Sequence, residues 1–484
     1  MAESPTRLRS ELKARLSDRA EIYLPLSNGF ANSDLRFTEY ERPTYALVVR
    51  PGCAHDVVCI VKFAREKGIP FSPRAGHHCV TTTMRHLQNG LLIDMRSLNQ
   101  ISLDEETGYV TIGGGVITDE FVRFLECKGL EINVGSCPTT GVIGVSFGAG
   151  LGRLQGKYGF LHDNMISCKL VLADGSVTVV SRDSHADLFW AIRGAGHNFG
   201  IAVEATFQAY PQAYGGRHFT WDFEYSLEQC DSVFETLNRV HDSMPPDLAI
   251  FILSSRQSKS GRKARHLILV NLVWSGKESE ADYWIQQFKT LEPVVTGIKT
   301  KTTWSELPWT TYNGLNKVLS KPEVWSRAPY KMMSAVSVAK FDLHTTKAFF
   351  TSLKKMNETW AGKGVFGAMF ESLPHHRSRE LEAESTAFPW RFDTNHFLMM
   401  TATPFSIEDR DAFEAHLDNW KREFIAVSGY GRLHQYVNYG NTTSTMEDPP
   451  EALYGYEPWR LQKLRALKHE YDPDNVFRWY QPLV

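Results

Sequence analysis

The chain of 484 residues has no long apolar run. No window approaches the ~20 apolar residues needed to cross a bilayer, so no membrane partner is expected. The opening segment, Met1 to Arg9, lacks an apolar h-region, and neither a secretory signal nor a transit peptide is expected. There is no long Lys/Arg run and the formal net charge is −2. A nucleic-acid partner would need a concentrated basic patch, and none is expected. The seven cysteines form no CxxC pair and no regular framework. Their odd number points to reduced thiols and a cytoplasmic setting. No Cys/His or carboxylate cluster completes a ligand set, so no metal site is expected. No GxGxxG opens a first helix with an acidic residue at the usual distance, which argues against a Rossmann nucleotide site. Repeats and low-complexity tracts are absent too.

What remains is an ordinary globular composition, 42% hydrophobic and 22% charged, with 12 Trp, 18 Tyr and 28 Phe. The length allows two or three domains. Aromatic richness fits core packing and a pocket for a flat organic substrate equally well. Periodicity predicts a first helix over Pro5–Glu21, a strand at 45–50 and an amphipathic helix at 54–67 stopped by Gly68. Strands follow at 69–73, 90–95 and 108–112, with a helix at 117–128. Residues 169–180 read as a hairpin turning at Asp174-Gly175. A short helix at 187–193 precedes a second Gly-rich segment, 194–200. Glycine thins out beyond Pro211, where a domain boundary is expected. Past it, strands at 267–273 and 396–401 alternate with helices at 278–291, 345–360 and 408–425, and a helix at 457–470 closes the chain.

Two loops carry chemistry. One is Arg74-Ala75-Gly76-His77-His78; the other is Gly135-Ser136-Cys137-Pro138-Thr139-Thr140-Gly141. Each puts a nucleophile in a loop of little bulk, where backbone can approach a phosphate or flat ring closely. A histidine and a cysteine so placed could both bond one electrophilic ring, which points to a flavin held through two covalent bonds. Further glycines at 113–115, 141, 144, 148, 150 and 152 are singly ordinary turns, but their density suits a backbone cradle for a pyrophosphate.

These blocks, in this order, resemble the berberine-bridge-enzyme-like oxidases of the PCMH-type, or vanillyl-alcohol-oxidase, superfamily. The Arg74–His78 loop resembles the family's Arg-Ser-Gly-Gly-His, and Gly135–Gly141 resembles its Gly-Thr-Cys-Pro-x-Val-Gly. Residues 148–159, Asp163-Asn164 and 187–200 resemble the next blocks. Tyr436-Val-Asn-Tyr439 and Tyr471-Asp-Pro-Asp-Asn-Val-Phe477 resemble the closing signatures. The resemblance implies FAD, bonded through His78 to the 8α-methyl and through Cys137 to ring carbon 6. It implies cofactor contacts from Arg74, Ala75, Gly76, His77, Gly135, Ser136, Thr140, Gly141, Gly144, Gly148, Gly152, Asn164, Gly200, Val203 and Asn438. Tyr436 is the first candidate for a catalytic base and Tyr439 the second, with Arg391 a partner that would depress the phenol's pKa. Three departures stand out. His77 replaces a family glycine, Thr140 occupies the oxygen-gating position, and Trp390 of Phe388-Pro-Trp-Arg391 is offered as a stacking wall.

The expected fold is α+β. Residues 1–211 would form a PCMH-type FAD-binding domain of two α/β subdomains, with its core at about 39–211. Residues 212–440 would form an antiparallel substrate sheet covered by helices, and 441–484 would return to the FAD domain. On the 396–404 strand, Thr401 and Thr403 would share the pocket face and Met400 and Ala402 the other. The expected activity is oxidation of a bulky specialised metabolite, by hydride transfer to flavin N5 with dioxygen reduced to hydrogen peroxide. The alternatives are a carbohydrate oxidase, a non-oxidative cyclase or isomerase scaffolded by FAD, and a flavin-binding protein without turnover. Oligomeric state stays open.

Overall fold

A computed structural model describes residues 4–257, 265–393 and 395–484. The first sheet has four strands in the order Glu21–Tyr23, Tyr45–Arg50, Gly90–Asp94, Phe71–Arg74. Its last three strands run parallel. The helix Ala54–Lys67 makes the crossover that a parallel pair requires. Gly68 ends that helix at φ 64°, in the left-handed region, and Ile69 N–H bonds back to Ala64 C=O at 2.8 Å. The next strand therefore starts at Phe71, two residues later than its hydrophobic pattern predicts.

The first helix is shorter than expected, Pro5–Lys13. Beyond it, Asp56 at the start of the crossover helix takes the Ser17 N–H and hydroxyl, each at 2.7 Å. A buried carboxylate that needs donors thus pulls the chain out of helix before Glu21.

A five-stranded antiparallel sheet follows, in the order Ile101–Asp104, Tyr109–Gly113, Ile201–Gln208, Met165–Val171, Val177–Ser181. The predicted hairpin is its last pair, turned at Gly175 with φ 76°. The register of Ile201–Gln208 against Met165–Val171 slips at Val203, a β-bulge.

The third sheet has seven strands, all antiparallel: Thr300–Thr303, Arg217–Ser226, Arg265–Trp274, Leu248–Gln257, Gly364–Ser372, His396–Pro404, Met332–Val338. Helices Cys230–His241, Ala281–Lys289, Leu343–Thr359 and Arg410–Ala426 cover one face and bury Ile250, Val270, Phe370, Met400 and Ala402. The other face packs Phe251, Leu269, Val273 and Phe397 against Phe147, Leu151 and Phe160 of the glycine-rich region. Two-residue alternation alone assigns the sides. Thr401 and Thr403 lie with Phe397 on this second face, opposite Met400 and Ala402.

The helix Pro458–Tyr471 packs back on Ala186–Ala195, with Trp190 and Trp459 rings 6.0 Å apart. Gln481 then donates to the carbonyls of Val437 and Gly440 at 3.1 and 2.6 Å. The chain is α+β, with a parallel crossover unit, an antiparallel sheet and a helix-backed antiparallel sheet.

Candidate active site

The two nucleophile loops touch. A Cβ on Gly76 would stand 2.3 Å from Thr139 C=O, and one on Gly141 would stand 2.8 Å from the Ala75 Cβ. Neither position admits a side chain, so the contact between the two loops requires these glycines. Gly148 likewise makes room for Asn438, whose Oδ1 would lie 2.3 Å from an added Cβ. Gly152 closes on Val134 C=O and Gly200 on Val171 C=O. Gly135 and Gly144 differ: an added Cβ would meet only Leu151 C=O, at 3.9 Å, in the first case and nothing within 4 Å in the second.

The contact brings His78 and Cys137 to a single hydroxyl. His78 Nε2 lies 2.7 Å from Thr139 Oγ1, and Cys137 Sγ lies 3.6 Å from the same oxygen. His78 stacks on Phe37 with centroids 5.1 Å apart, and the edge of Trp325 meets it at 5.2 Å. Burial, reinforced by the Lys331 charge, lowers its pKa to about 4, so its ring is a neutral nucleophile at physiological pH. Burial pushes the Cys137 thiol up, and the Thr139 contact offsets only part of this. His77, at φ 63°, turns the other way and holds the Leu35 carbonyl through Nδ1. Arg74 spends its charge on Asp94 at 2.8 Å, beside Arg50. Thr140 Oγ1 donates to Cys137 C=O and meets Thr118 Oγ1, both at 3.0 Å, so its hydroxyl braces the loop.

Several of the expected residues also hold partners within the protein. The Asn164 amide donates to Tyr158 and Phe160 carbonyls, both at 2.9 Å, and accepts from the Tyr210 hydroxyl at 2.8 Å. Val203 is buried in the bulge, where its carbonyl accepts Gly114 N–H. Arg391 does not reach Tyr436: it is fully buried, bidentate to Asp163 at 2.7 and 2.9 Å, and over the Phe160 ring. Trp390 is no pocket wall. It stacks on His434 at 4.0 Å and donates to Gln435 C=O, 2% exposed in the core.

Tyr436 and Tyr439 meet edge to face at 5.0 Å. The Tyr436 oxygen accepts from Gly150 N–H at 3.2 Å and from Asn438 Nδ2 at 2.7 Å, and burial raises its pKa. Tyr439 instead donates its proton to Glu371 Oε1 at 3.0 Å. Burial lifts Glu371 to about 7, against the opposing pull of the Tyr439 bond and the Arg153 charge. Burial, then the carboxylate, raises Tyr439 well above 10, and Cys137 is close enough to contribute. Glu371 is the residue missed in the sequence. Its signal was a lone acid at an inward position of the alternating strand Gly364–Ser372.

The chemistry of the donor set fits FAD. Gly135 and Gly144 present clear sides, and Asn438 Oδ1, His197 Nδ1, and Nε and Nη1 of Arg36 are buried polar atoms without partners. Arg36 stands beside the histidine loop, donating through Nη2 to Cys79 C=O at 3.4 Å.

The comparisons with known proteins agree with this geometry. A family profile for an FAD binding domain matches residues 45–181, and one for berberine and berberine-like proteins matches residues 435–483. FAD-linked oxidoreductase alt4 of Alternaria solani is 61% identical, over 99% of this chain and 96% of its own length. This chain is a berberine-bridge-enzyme-like, FAD-linked oxidoreductase. Another oxidoreductase of the family, fogF of Aspergillus ruber, is 32% identical over 94% of the chain and 89% of its own length. Among solved structures, BBE-like 1 of Physcomitrella patens superposes with a TM-score of 0.81 at 20% identity, covering 99% of both chains. Glucooligosaccharide oxidase of Acremonium strictum, whose FAD is 6-S-cysteinyl and 8α-N1-histidyl, gives 0.79 at 20% identity, again over 99% of both. The two structures establish the fold of this oxidoreductase. Among its described residues, no helix is long and apolar enough to cross a membrane and no group of His, Cys, Asp or Glu could hold a metal ion.

Proposed function

We propose that this oxidoreductase is an oxidase of a bulky, ring-bearing metabolite, with Tyr439 and Glu371 as its proton-accepting pair. The observation that carries the reading is the 3.0 Å bond from the Tyr439 hydroxyl to a buried carboxylate poised near pH 7. FAD, when bound, supplies the hydride acceptor at N5 and delivers the electrons to dioxygen, yielding hydrogen peroxide. Tyr439 takes the proton of a substrate O–H or N–H as the neighbouring C–H is oxidised, and passes its own proton to Glu371. Tyr436 is braced by two N–H donors and holds position beside it. His78 and Cys137 are the attachment points, because Thr139 brings both to one place.

The sheet face toward the glycine-rich region supports a flat, apolar substrate. Phe251, Tyr312, Phe397 and Tyr436 line that side, and Phe397 meets Tyr436 at 5.8 Å. Oligosaccharide oxidases share the fold at about 20% identity, but this apolar surface favours an aromatic or polyketide ring over a sugar.

The test is anaerobic mixing of the purified yellow protein with candidate metabolites, monitored by flavin bleaching and, after aeration, by peroxide. Bleaching is expected, and Tyr439→Phe should slow it by about 10²- to 10⁴-fold with flavin content unchanged. Product formed without bleaching would assign a non-oxidative cyclase instead.

A further inference from the structure

Arg153 is a buried cation that no described carboxylate pairs. It is 1% exposed, directly after Gly152. One terminal nitrogen donates to the Tyr312 hydroxyl at 2.7 Å and to Thr311 Oγ1 at 3.2 Å. The guanidinium lies over the Phe251 ring at 5.1 Å and the Tyr312 ring at 5.4 Å. Nε is buried without an acceptor, and both hydrogen bonds of the guanidinium come from one terminal nitrogen. Such a charge is costly to bury unless something completes it. Two rings and two hydroxyls offset part of that cost and leave donors over.

Its neighbours place it at the reaction site. Tyr312 is near enough to the Ser136 side chain, next to Cys137, for Ser136 to lower its pKa slightly, while burial pushes its phenol up to about 12 despite the Arg153 charge. Three other ionisable groups respond to this region: Glu371 and Asp222 feel the Arg153 charge through space, and His218 feels both Arg153 and Lys157. Asp222 is satisfied by the backbone N–H of Asn313 and by Asn271 Nδ2, each at 2.8 Å, so it is not the missing partner. Glu371 is engaged by Tyr439. Arg153 therefore stands between the cysteine loop and the Tyr439–Glu371 pair with donors to spare.

We propose that Arg153 is the anchor for a delocalised oxyanion of the substrate, a carboxylate or an ionised enol, held beside Tyr312. The proposal rests on the oxidase reading of the same site and narrows its substrate class to acidic, oxygen-bearing molecules. A planar guanidinium matches the two oxygens of either group and makes the stronger, charge-assisted kind of hydrogen bond.

The test uses the FAD-loaded enzyme and three probes: benzoate for a carboxylate, the dimedone anion for an enolate, and neutral benzamide. Binding is read by calorimetry and by perturbation of the flavin spectrum. At least one anion should bind more tightly than benzamide by about 10-fold or more, and the better one identifies the source of the oxyanion. Arg153→Gln should remove that preference while its flavin content and benzamide affinity stay unchanged. Tyr312→Phe keeps the charge and should retain most of it. Equal binding of all three probes to the parent enzyme would refute the proposal without any variant, as would an Arg153→Gln protein that keeps its flavin and still prefers the anion. A colourless preparation would instead defeat the flavin reading, and calorimetry with the same probes would still decide the anion site.

Discussion

Replacing Glu371 by Gln should make the protein more stable and the enzyme worse, each with its own pH dependence. Glu371 is 4% exposed and titrates near 7, where an unfolded glutamate titrates near 4.5. A folded-state pKa raised in this way means that folding favours the protonated acid. The stability it contributes is whole below about 4.5 and is lost as pH rises through about 7. At 1.36 kcal/mol per tenfold change in proton affinity, the gap corresponds to about 3 kcal/mol by pH 8. Gln keeps the shape and the acceptor oxygen for Tyr439 but never ionises. Scanning fluorimetry of the holoprotein should therefore show parent and variant converging at pH 5, with the variant melting progressively higher towards pH 8. Catalysis runs oppositely, since only the ionised carboxylate can receive the Tyr439 proton. The parent's reductive rate should rise with pH through about 7, and the variant's should be lower by about 10²-fold and flat. A melting-temperature difference that does not change with pH would refute both halves of the argument.

Intact mass should show FAD retained on His78→Ala and on Cys137→Ala through the remaining link, lost in the double variant, and untouched in His77→Ala; attachment that fails only in His77→Ala would move the bond by one residue. Asp163→Asn should cost about 3–5 kcal/mol in denaturant unfolding, because it strands the buried Arg391 cation; a change below 1 kcal/mol would count against this. Gly76→Ala forces a Cβ to 2.3 Å from Thr139 C=O. It should cost about 1–3 kcal/mol and reduce flavin occupancy, read from the ratio of visible to protein absorbance.

Much of the frame was legible in the chain because it rests on local rules. The crossover helix Ala54–Lys67 and its glycine stop follow from periodicity and a left-handed cap, and they occur at the residues expected. The hairpin around Asp174-Gly175 follows from turn chemistry. The alternation that puts Thr401 and Thr403 opposite Met400 and Ala402 needs only a strand. The two nucleophile loops were visible as motifs, and their order along the chain identified the family.

Partners distant in the chain were not legible. Nothing near Tyr439 announces Glu371, 68 positions away, and nothing near Arg391 announces Asp163, 228 positions away. A phenol or guanidinium can be recognised in a sequence, but its proton affinity is decided by what burial removes and what the fold puts beside it. The glycines make the same point from the backbone side: that the loops at Gly76 and Gly141 press on each other is visible only in the folded chain. Short-range order thus belongs to the amino-acid sequence, through dihedral preference and hydrophobic period. The Tyr439–Glu371 bond, the surroundings of the buried Arg153 and the meeting of His78 with Cys137 on one hydroxyl belong to the tertiary structure, because each is a contact between segments that only folding brings together.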